Sequence, residues 1–229
     1  NNVQKRVVYN DVNPLNVNLY LCLKDYKKFW EMTKNTPIEN KELFNKCKSD
    51  LFDTEFVLDM NNPNFDIAIK YAYVLSQVWS GTNPEKSKFI DLRGKYKSKF
   101  DSFKGKLQDK KWQNYFDKIT VTENMDFQDV IQKYDGPSTY VYADPPYWKT
   151  ENYYNNHDFD SKDHERLADC LKGIQGKFSL SYYDFPQLHT WFPQFQYVWE
   201  NKEFAKAAAA KKGKAQKMGE ELLILNYVK

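Results

Sequence analysis

The residues best suited to chemistry form one tetrapeptide, Asp144-Pro145-Pro146-Tyr147, directly after a short apolar run. Two consecutive prolines fix φ and remove two N–H donors, so the loop is stiff and offers hydrogen-bond acceptors. The Asp144 carboxylate and the Pro145 carbonyl are these acceptors, and the Tyr147 ring stands beside them. The combination suits a planar group with an amino substituent. A rigid turn that merely ends a strand is the alternative interpretation.

Strands and helices alternate on both sides of this tetrapeptide, which predicts an α/β fold with a doubly wound sheet. The apolar run Tyr140–Ala143 is typical of a central parallel strand. Ligands bind at the carboxyl ends of such strands, so the sheet would place Asp144 where a site is expected. The predicted strands are Arg6–Asn10, Ile119–Thr122, Tyr140–Ala143, Lys177–Ser181, Tyr197–Trp199 and Glu221–Val228.

Capping signals predict where two helices begin. Asn13 is expected to cap a helix that starts at Pro14. The helical spacing of apolar residues then predicts one amphipathic helix to about Met32. Further along the chain, Ser161 or Asp163 is expected to cap a second helix.

Composition excludes several classes of protein. The 229 residues are 41% apolar and 17% aromatic, which fits one large domain, or a domain with an insert, better than disorder, collagen or a coiled coil. No apolar stretch approaches the roughly 18 residues of a membrane span, and the N-terminus lacks a signal-peptide core. The cysteines Cys22, Cys47 and Cys170 have no C-x-x-C spacing, and the three histidines have no ligand spacing. We therefore expect a cytoplasmic protein without disulfides or metal.

Two basic segments interrupt an otherwise acidic chain. Residues 86–118 hold eleven Lys or Arg against four Asp, and residues 202–217 hold six Lys against one Glu. The whole chain nevertheless has a net charge of only +3. Local positive charge favours contact with a polyanion such as nucleic acid. Two solvated lysine-rich loops are the alternative interpretation.

The tetrapeptide and five other segments resemble, in order, the motifs of a known family. D-P-P-Y is the signature of the Dam-like (alpha-group) adenine-specific DNA methyltransferases of phages and bacteria. The resemblance covers most of Val7–Asn13 and Trp112–Tyr227. It implies an enzyme that methylates the exocyclic amino group of adenine in double-stranded DNA after base flipping, using S-adenosylmethionine and no metal. The other segments are Val8–Asn13, Asn124–Phe127, Asp163–Ala168, Leu180–Asp184 and Gly219–Tyr227.

The resemblance also implies which residues contact the cofactor. Asp11 would accept hydrogen bonds from the ribose hydroxyls of S-adenosylmethionine. Asp126 would accept from the adenine amino group of the cofactor, and Phe127 would pack against that ring. Asp144 is counted among the cofactor contacts as well. For Phe127, an ordinary core aromatic is the alternative.

The catalytic group implied by the resemblance is the whole tetrapeptide Asp144-Pro145-Pro146-Tyr147. Asp144 and the Pro145 carbonyl would draw the amino lone pair out of conjugation and orient it toward the methyl group. The residues expected to stack on the target base are Tyr147, Tyr182 and Tyr183.

The segment that recognises the target sequence is expected to lie, along the chain, between the two parts of the catalytic domain. Residues 1–36 and 112–229 would form a Rossmann-like class I methyltransferase sheet, and residues 37–111 a mostly helical target-recognition insert. Lysines there would contact phosphates, and Arg93 is suited to a bidentate guanine contact. The DNA-binding candidates are Lys86, Lys88, Arg93, Lys95, Lys97, Lys99, Lys211, Lys212 and Lys214.

The chain departs from the family in its glycines. The first is Gly81, and no pair has the G-x-G spacing of the family's cofactor loop. We therefore expect that the N-terminal part of the catalytic domain is missing. Cytosine-amino or RNA methylation is one alternative function, and a silent DNA-binding module that lost the loop is another. A cognate restriction endonuclease, in the cytoplasm of a bacterium or phage-infected cell, is the partner that the resemblance suggests.

Overall fold

The computed structural model describes residues 6–78, 83–90, 99–148, 159–205 and 218–228. The chain divides into two compact units, with a boundary between Asp126 and Phe127. Each unit combines helices with a small sheet, which confirms the α/β class. The division into a catalytic domain and an insert at residues 37–111 stays a prediction.

The first unit surrounds an aromatic core with helices and a two-stranded sheet. β1 and β2 pair in parallel with Asn10 opposite Glu123, so both strands end at one edge of this sheet. Phe29, Phe44 and Phe100 are buried among the helices. The elements of this unit, as far as the structure describes it, are β1 (Val7–Asn10), α1 (Pro14–Leu23), α2 (Tyr26–Thr33), α3 (Lys41–Phe52), α4 (Phe65–Ser76), α5 (Lys99–Gln108), α6 (Lys110–Lys118) and β2 (Ile119–Glu123).

The prediction of one long helix in the first unit is wrong, because the stretch forms α1 and α2. The side chain of Asp25 accepts a hydrogen bond from the backbone N–H of Lys28 and so begins α2. Aspartate favours such a capping position over a helix interior, and this second cap divides the predicted helix. The start of α1 is as predicted: Asn13 accepts from the N–H of Leu15, and Pro14 is the first helical residue.

The second unit contains a mixed four-stranded sheet covered by helices. The strand order is β3-β4-β6-β5, in which β3 and β4 are parallel and β6 is antiparallel to both β4 and β5. Leu180 and Ile224 from the sheet pack with Leu171 and Leu188 from the helices. The elements described in this unit are α7 (Phe127–Tyr134), β3 (Tyr140–Ala143), α8 (Ser161–Gly173), β4 (Lys177–Tyr182), α9 (Pro186–Trp191), β5 (Val198–Ala205) and β6 (Met218–Leu225).

Two details of the second unit differ from the sequence predictions. The N-cap of α8 is Asp160, and Asp163 completes a capping box by accepting from the N–H of Asp160. β3 was expected to be central, but among the described strands it pairs with β4 alone. Tyr140 and Tyr142 on β3 are 54% and 59% exposed, because their polar ends need not be buried and only Val141 and Ala143 face the core.

A tight turn fixes β3 against β4. An added Cβ on Gly176 would lie 2.4 Å from the carbonyl oxygen of Thr139 and 2.8 Å from that of Gly136, so only glycine fits there. The carboxylate of Asp135 accepts the N–H groups of Gly136, Gln175 and Gly176. This turn sets the register of the two parallel strands, and with it the point at which β3 ends.

Candidate active site

The tetrapeptide Asp144-Pro145-Pro146-Tyr147 begins directly after β3, at the edge where β4 also ends. Since β6 runs antiparallel to β4, the first half of β6 reaches the same edge. Partial burial raises the pKa of the Asp144 carboxyl, the Tyr147 hydroxyl opposes the rise, and the negative charge of Glu221 adds to it. A carboxylate that is less well solvated is a stronger hydrogen-bond acceptor.

The hydroxyl of Tyr147 joins a compact network of side chains from β4 and β6. It lies 2.7 Å from the Ser181 Oγ and donates to the Glu221 Oε1, also at 2.7 Å. The Ser181 hydroxyl donates to the same Glu221 oxygen at 2.7 Å. These hydrogen bonds lower the pKa of Glu221, while burial raises the pKa of Tyr147. The network therefore consists of a neutral phenol held by a carboxylate.

The two tyrosines after Ser181 occupy different environments. Tyr182 is only 2% exposed, and its hydroxyl contacts Nδ1 of the buried His164. Tyr183 is half-buried, and its ring meets the Tyr147 ring at 4.4 Å and 73°. Alternation along β4 sends Tyr182 into the core. The prediction that named both residues as stacking partners is thus corrected in favour of Tyr183.

The first unit places Asp11 beside the segment that leads to Asp126. The N–H of Asp11 donates to the carbonyl of Glu123 at 3.4 Å. The Asn10 side chain donates to the carbonyl of Met125 at 3.1 Å and accepts from its N–H at 3.0 Å. Asp11 and Asp126 therefore follow neighbouring parallel strands at one edge of the sheet.

Three protein donors orient the carboxylate of Asp11. Its Oδ1 accepts from the N–H of Asn13 at 2.8 Å, and its Oδ2 accepts from the Tyr9 hydroxyl at 3.1 Å and the Asn16 amide at 2.7 Å. The Tyr71 hydroxyl in turn donates to Asn16 at 3.0 Å. Burial, together with the charge of Asp11, raises the pKa of Tyr9 and Tyr71, so both phenols stay neutral.

These donors leave part of the Asp11 carboxylate for a ligand. A carboxylate offers about four lone-pair sites, and three are used. Sequence reasoning missed Tyr9 and Asn16, although the alternation of β1 places Tyr9 on the same side of the strand as Asp11.

One face of Phe127 is covered by a cation. The guanidinium of Arg166 lies 4.1 Å from the centre of the Phe127 ring and donates to Asp163 at 2.7 Å and Gln128 at 3.3 Å. The ring of Phe159 lies 5.8 Å away. Phe127 also packs against the buried cluster of the second unit, so its contact with the cofactor stays a prediction.

The described basic residues fall into two kinds. Lys86 and Lys88 are exposed on the segment 83–90. Lys99 instead donates to the carbonyl of Val78 at 2.7 Å, and burial lowers the pKa of its ammonium group. Part of this ammonium group therefore serves the fold, and the DNA contact of Lys99 stays a prediction. The candidates that lie outside the described residues are Arg93, Lys95, Lys97, Lys211, Lys212 and Lys214.

Within the described ranges, no group of three or more His, Cys, Asp or Glu side chains could hold a metal ion. None of the helices in these ranges is long and apolar enough to cross a membrane.

An α/β unit that presents a proline-stiffened pair of acceptors at a strand end is typical of methyltransferases that act on amino groups. The profile of the D12 class N6 adenine-specific DNA methyltransferases matches residues 1–206, and the chain belongs to that family. No curated protein matches the chain. The protein is therefore an enzyme that transfers a methyl group from S-adenosylmethionine to adenine in DNA. This confirms the predicted reaction, cofactor and substrate over the cytosine and RNA alternatives, whereas the Dam-like alpha group stays a prediction.

Proposed function

We propose that this enzyme methylates N6 of an adenine flipped out of double-stranded DNA, with Asp144-Pro145-Pro146-Tyr147 as its catalytic loop. The observation that carries the proposal is the position of this loop at the shared edge of β3, β4 and β6, with the Tyr147 hydroxyl held there. The adenine amino group lies inside the duplex stack, so the base must leave the stack to reach Asp144.

Asp144 and the Pro145 carbonyl each accept one hydrogen of the adenine amino group. This nitrogen is a poor nucleophile because its lone pair is conjugated with the ring. Two fixed acceptors draw the lone pair out of conjugation and orient it. S-adenosylmethionine, when bound, supplies the methyl group as a sulfonium. The sulfonium would give up this methyl group to the nitrogen and leave as a neutral thioether, and the displaced amino proton would pass to the Asp144 carboxylate that already accepts it.

The residues proposed to hold the cofactor are Asp11, Asp126 and Phe127. The unused acceptor site of Asp11 suits a ribose hydroxyl, as carboxylates do in related nucleotide-binding folds. The two hydrogen bonds between the Asn10 side chain and the Met125 backbone support a fixed position for the neighbouring Asp126. Phe127 offers the ring face that Arg166 does not cover.

Several finer assignments belong to the same proposal. The parallel pairs β1–β2 and β3–β4 are both followed by proposed site residues, which favours a Rossmann-like arrangement. Helices α3 to α5 fall within residues 37–111, which favours a mostly helical insert for target recognition. The resemblance supports the Dam-like group, a cognate restriction endonuclease and the cytoplasm of a bacterium or a phage-infected cell.

Base flipping is tested with 2-aminopurine in place of the target adenine. The target site is first identified by sequencing DNA from cells that express the protein. Binding is expected to raise the fluorescence of 2-aminopurine, because the base leaves the stack. Tyr147→Ala is expected to weaken binding of the flipped base by about 1–3 kcal/mol, the scale of base–aromatic stacking. Tyr115→Ala, an exposed tyrosine on α6, is the matched control.

DNA that binds without any rise in fluorescence would argue against flipping. An equal effect of the two tyrosine variants would remove the stacking role from Tyr147.

Lys86 and Lys88 are proposed to contact the DNA backbone. Replacing both with alanine is expected to weaken DNA binding and to reduce the slope of log Kd against log salt concentration, by about one unit per lost phosphate contact. Lys99→Ala is expected to lower the melting temperature and to leave the slope unchanged, because its ammonium group binds a backbone carbonyl. Anisotropy titrations of a labelled duplex at several salt concentrations measure the slopes.

Lys24 and Lys27 supply the control for this experiment. Both are exposed lysines of the first unit and lie outside the basic segments. Their joint replacement removes the same charge from another surface. A slope that changes equally in both double variants would show that Lys86 and Lys88 make no specific phosphate contact.

A further inference from the structure

We propose that Ser181 and Glu221 are positioning residues for methyl transfer and that they act through the hydroxyl of Tyr147. The proposal rests on the catalytic role of the tetrapeptide proposed above. It adds two residues that contact neither the base nor the cofactor in that proposal.

The geometry that carries the inference is a triangle of oxygen atoms. The Tyr147 hydroxyl, the Ser181 Oγ and the Glu221 Oε1 lie pairwise 2.7 Å apart. The three short oxygen–oxygen contacts therefore share only two hydrogens, those of the Tyr147 and Ser181 hydroxyls. Since the hydrogen bonds from Ser181 and Tyr147 lower the pKa of Glu221, its carboxylate is the natural acceptor of both.

The triangle joins three elements that meet at the site. Tyr147 ends the catalytic tetrapeptide, Ser181 belongs to β4, and Glu221 belongs to β6. The three side chains are distant in sequence, so their meeting depends on the parallel register of β3 with β4 and the antiparallel register of β4 with β6. The sheet itself therefore holds the end of the catalytic loop.

Holding the hydroxyl also fixes the orientation of the Tyr147 ring. The hydroxyl is anchored at one end of the ring, and Tyr183 meets the ring edge-on at 4.4 Å. Two contacts at different points leave the ring little freedom to tilt. A base that stacks on Tyr147 is then held in a fixed position relative to the edge of the sheet.

The same anchor bears on Asp144. The Tyr147 hydroxyl also lowers the pKa of the Asp144 carboxyl against the effect of burial. Pro145 and Pro146 restrict the chain between the two residues. Loss of the Glu221 anchor would therefore loosen both the stacking ring and the acceptor of the amino hydrogens. Misplacement of such groups by even about 1 Å is costly for reaction rate.

A double-mutant cycle tests the proposal in the intact enzyme. The single-turnover methylation rate is measured for Tyr147→Phe, Glu221→Ala and the double variant, at saturating S-adenosylmethionine and DNA. Each single change is expected to lower the rate by about 10- to 100-fold, the scale of one charge-assisted hydrogen bond, with little change in the Kd for DNA. The double variant is expected to be no slower than the slower single variant, because both changes remove the same contact.

Two further variants separate positioning from a structural role. Glu221→Gln keeps an acceptor oxygen and is expected to recover much of the rate lost in Glu221→Ala. Glu220→Ala is the matched control, because Glu220 is the exposed neighbour on β6 and contacts Asn201. If Glu221→Ala fails to fold, the cycle of Tyr147→Phe with Ser181→Ala replaces it.

Effects that multiply in the double variant, or a normal rate in Glu221→Ala, would overturn the proposal. A failure of the catalytic loop assignment would look different. In that case Asp144→Ala would keep its activity, whatever the result of the cycle.

Discussion

Asp144→Ala is expected to lower the rate of methyl transfer by roughly 10²–10³, the usual effect of removing one fixed electrostatic contact to the reacting group. Asp144 lies on the loop after β3 and outside the buried cluster of the second unit, so the fold is expected to survive the change. The rate is measured in single turnover, and binding of DNA and S-adenosylmethionine is measured separately. Both affinities are expected to change far less than the rate.

Asp184→Ala is the control for this prediction. Asp184 follows β4 as Asp144 follows β3, but it binds His189 at 2.8 Å and has no proposed role in catalysis. A variant of Asp144 that retains more than about a tenth of the normal rate would contradict its assignment as the acceptor. Equal losses in both variants would point to a structural effect of the strand ends.

Asp11→Asn is expected to weaken the binding of S-adenosylmethionine by about 10- to 100-fold, because the amide carries no charge and has one acceptor oxygen where the carboxylate has two. Isothermal titration calorimetry of the intact protein measures the affinity. A smaller loss of stability is also expected, since Asn13, Tyr9 and Asn16 donate to this carboxylate.

Asp25→Asn is the control that separates a loss of stability from a loss of affinity for S-adenosylmethionine. Asp25 caps α2 through the N–H of Lys28 and has no proposed ligand. This variant is expected to change the melting temperature slightly and leave the affinity for S-adenosylmethionine unchanged. An unaltered affinity in Asp11→Asn would remove Asp11 from the cofactor site.

Local signals were sufficient for the parts of the fold that short-range contacts decide. Asn13 and Pro14 begin α1 as predicted, because a cap and a first-turn proline act within a few residues. Other features depend on partners far away in sequence. β5 runs to Ala205, well beyond the predicted Trp199, because β6 pairs with it along its whole length. The exposure of Tyr140 likewise depends on which strands flank β3.

The same distinction holds for the candidate site. The tetrapeptide could be found from sequence, since its residues are adjacent and follow an apolar run. Ser181 and Glu221 could not, because they meet Tyr147 only through the registers of β4 and β6. The charge of Lys99 is visible in the sequence, whereas its hydrogen bond to the carbonyl of Val78 is not.

The turn at Gly176 has a consequence for the way inactive variants of this enzyme are interpreted. Any side chain at position 176 would collide with two carbonyl oxygens, and overpacking of this kind costs about 1–3 kcal/mol. In a library of random substitutions, position 176 would tolerate change as poorly as the catalytic loop. The two kinds of intolerance have separate origins: loss at Asp144 removes a chemical group, whereas loss at Gly176 lowers the amount of folded enzyme. A survey that measures activity alone would not distinguish the two kinds of variant. A survey that also measures the amount of folded enzyme would distinguish them.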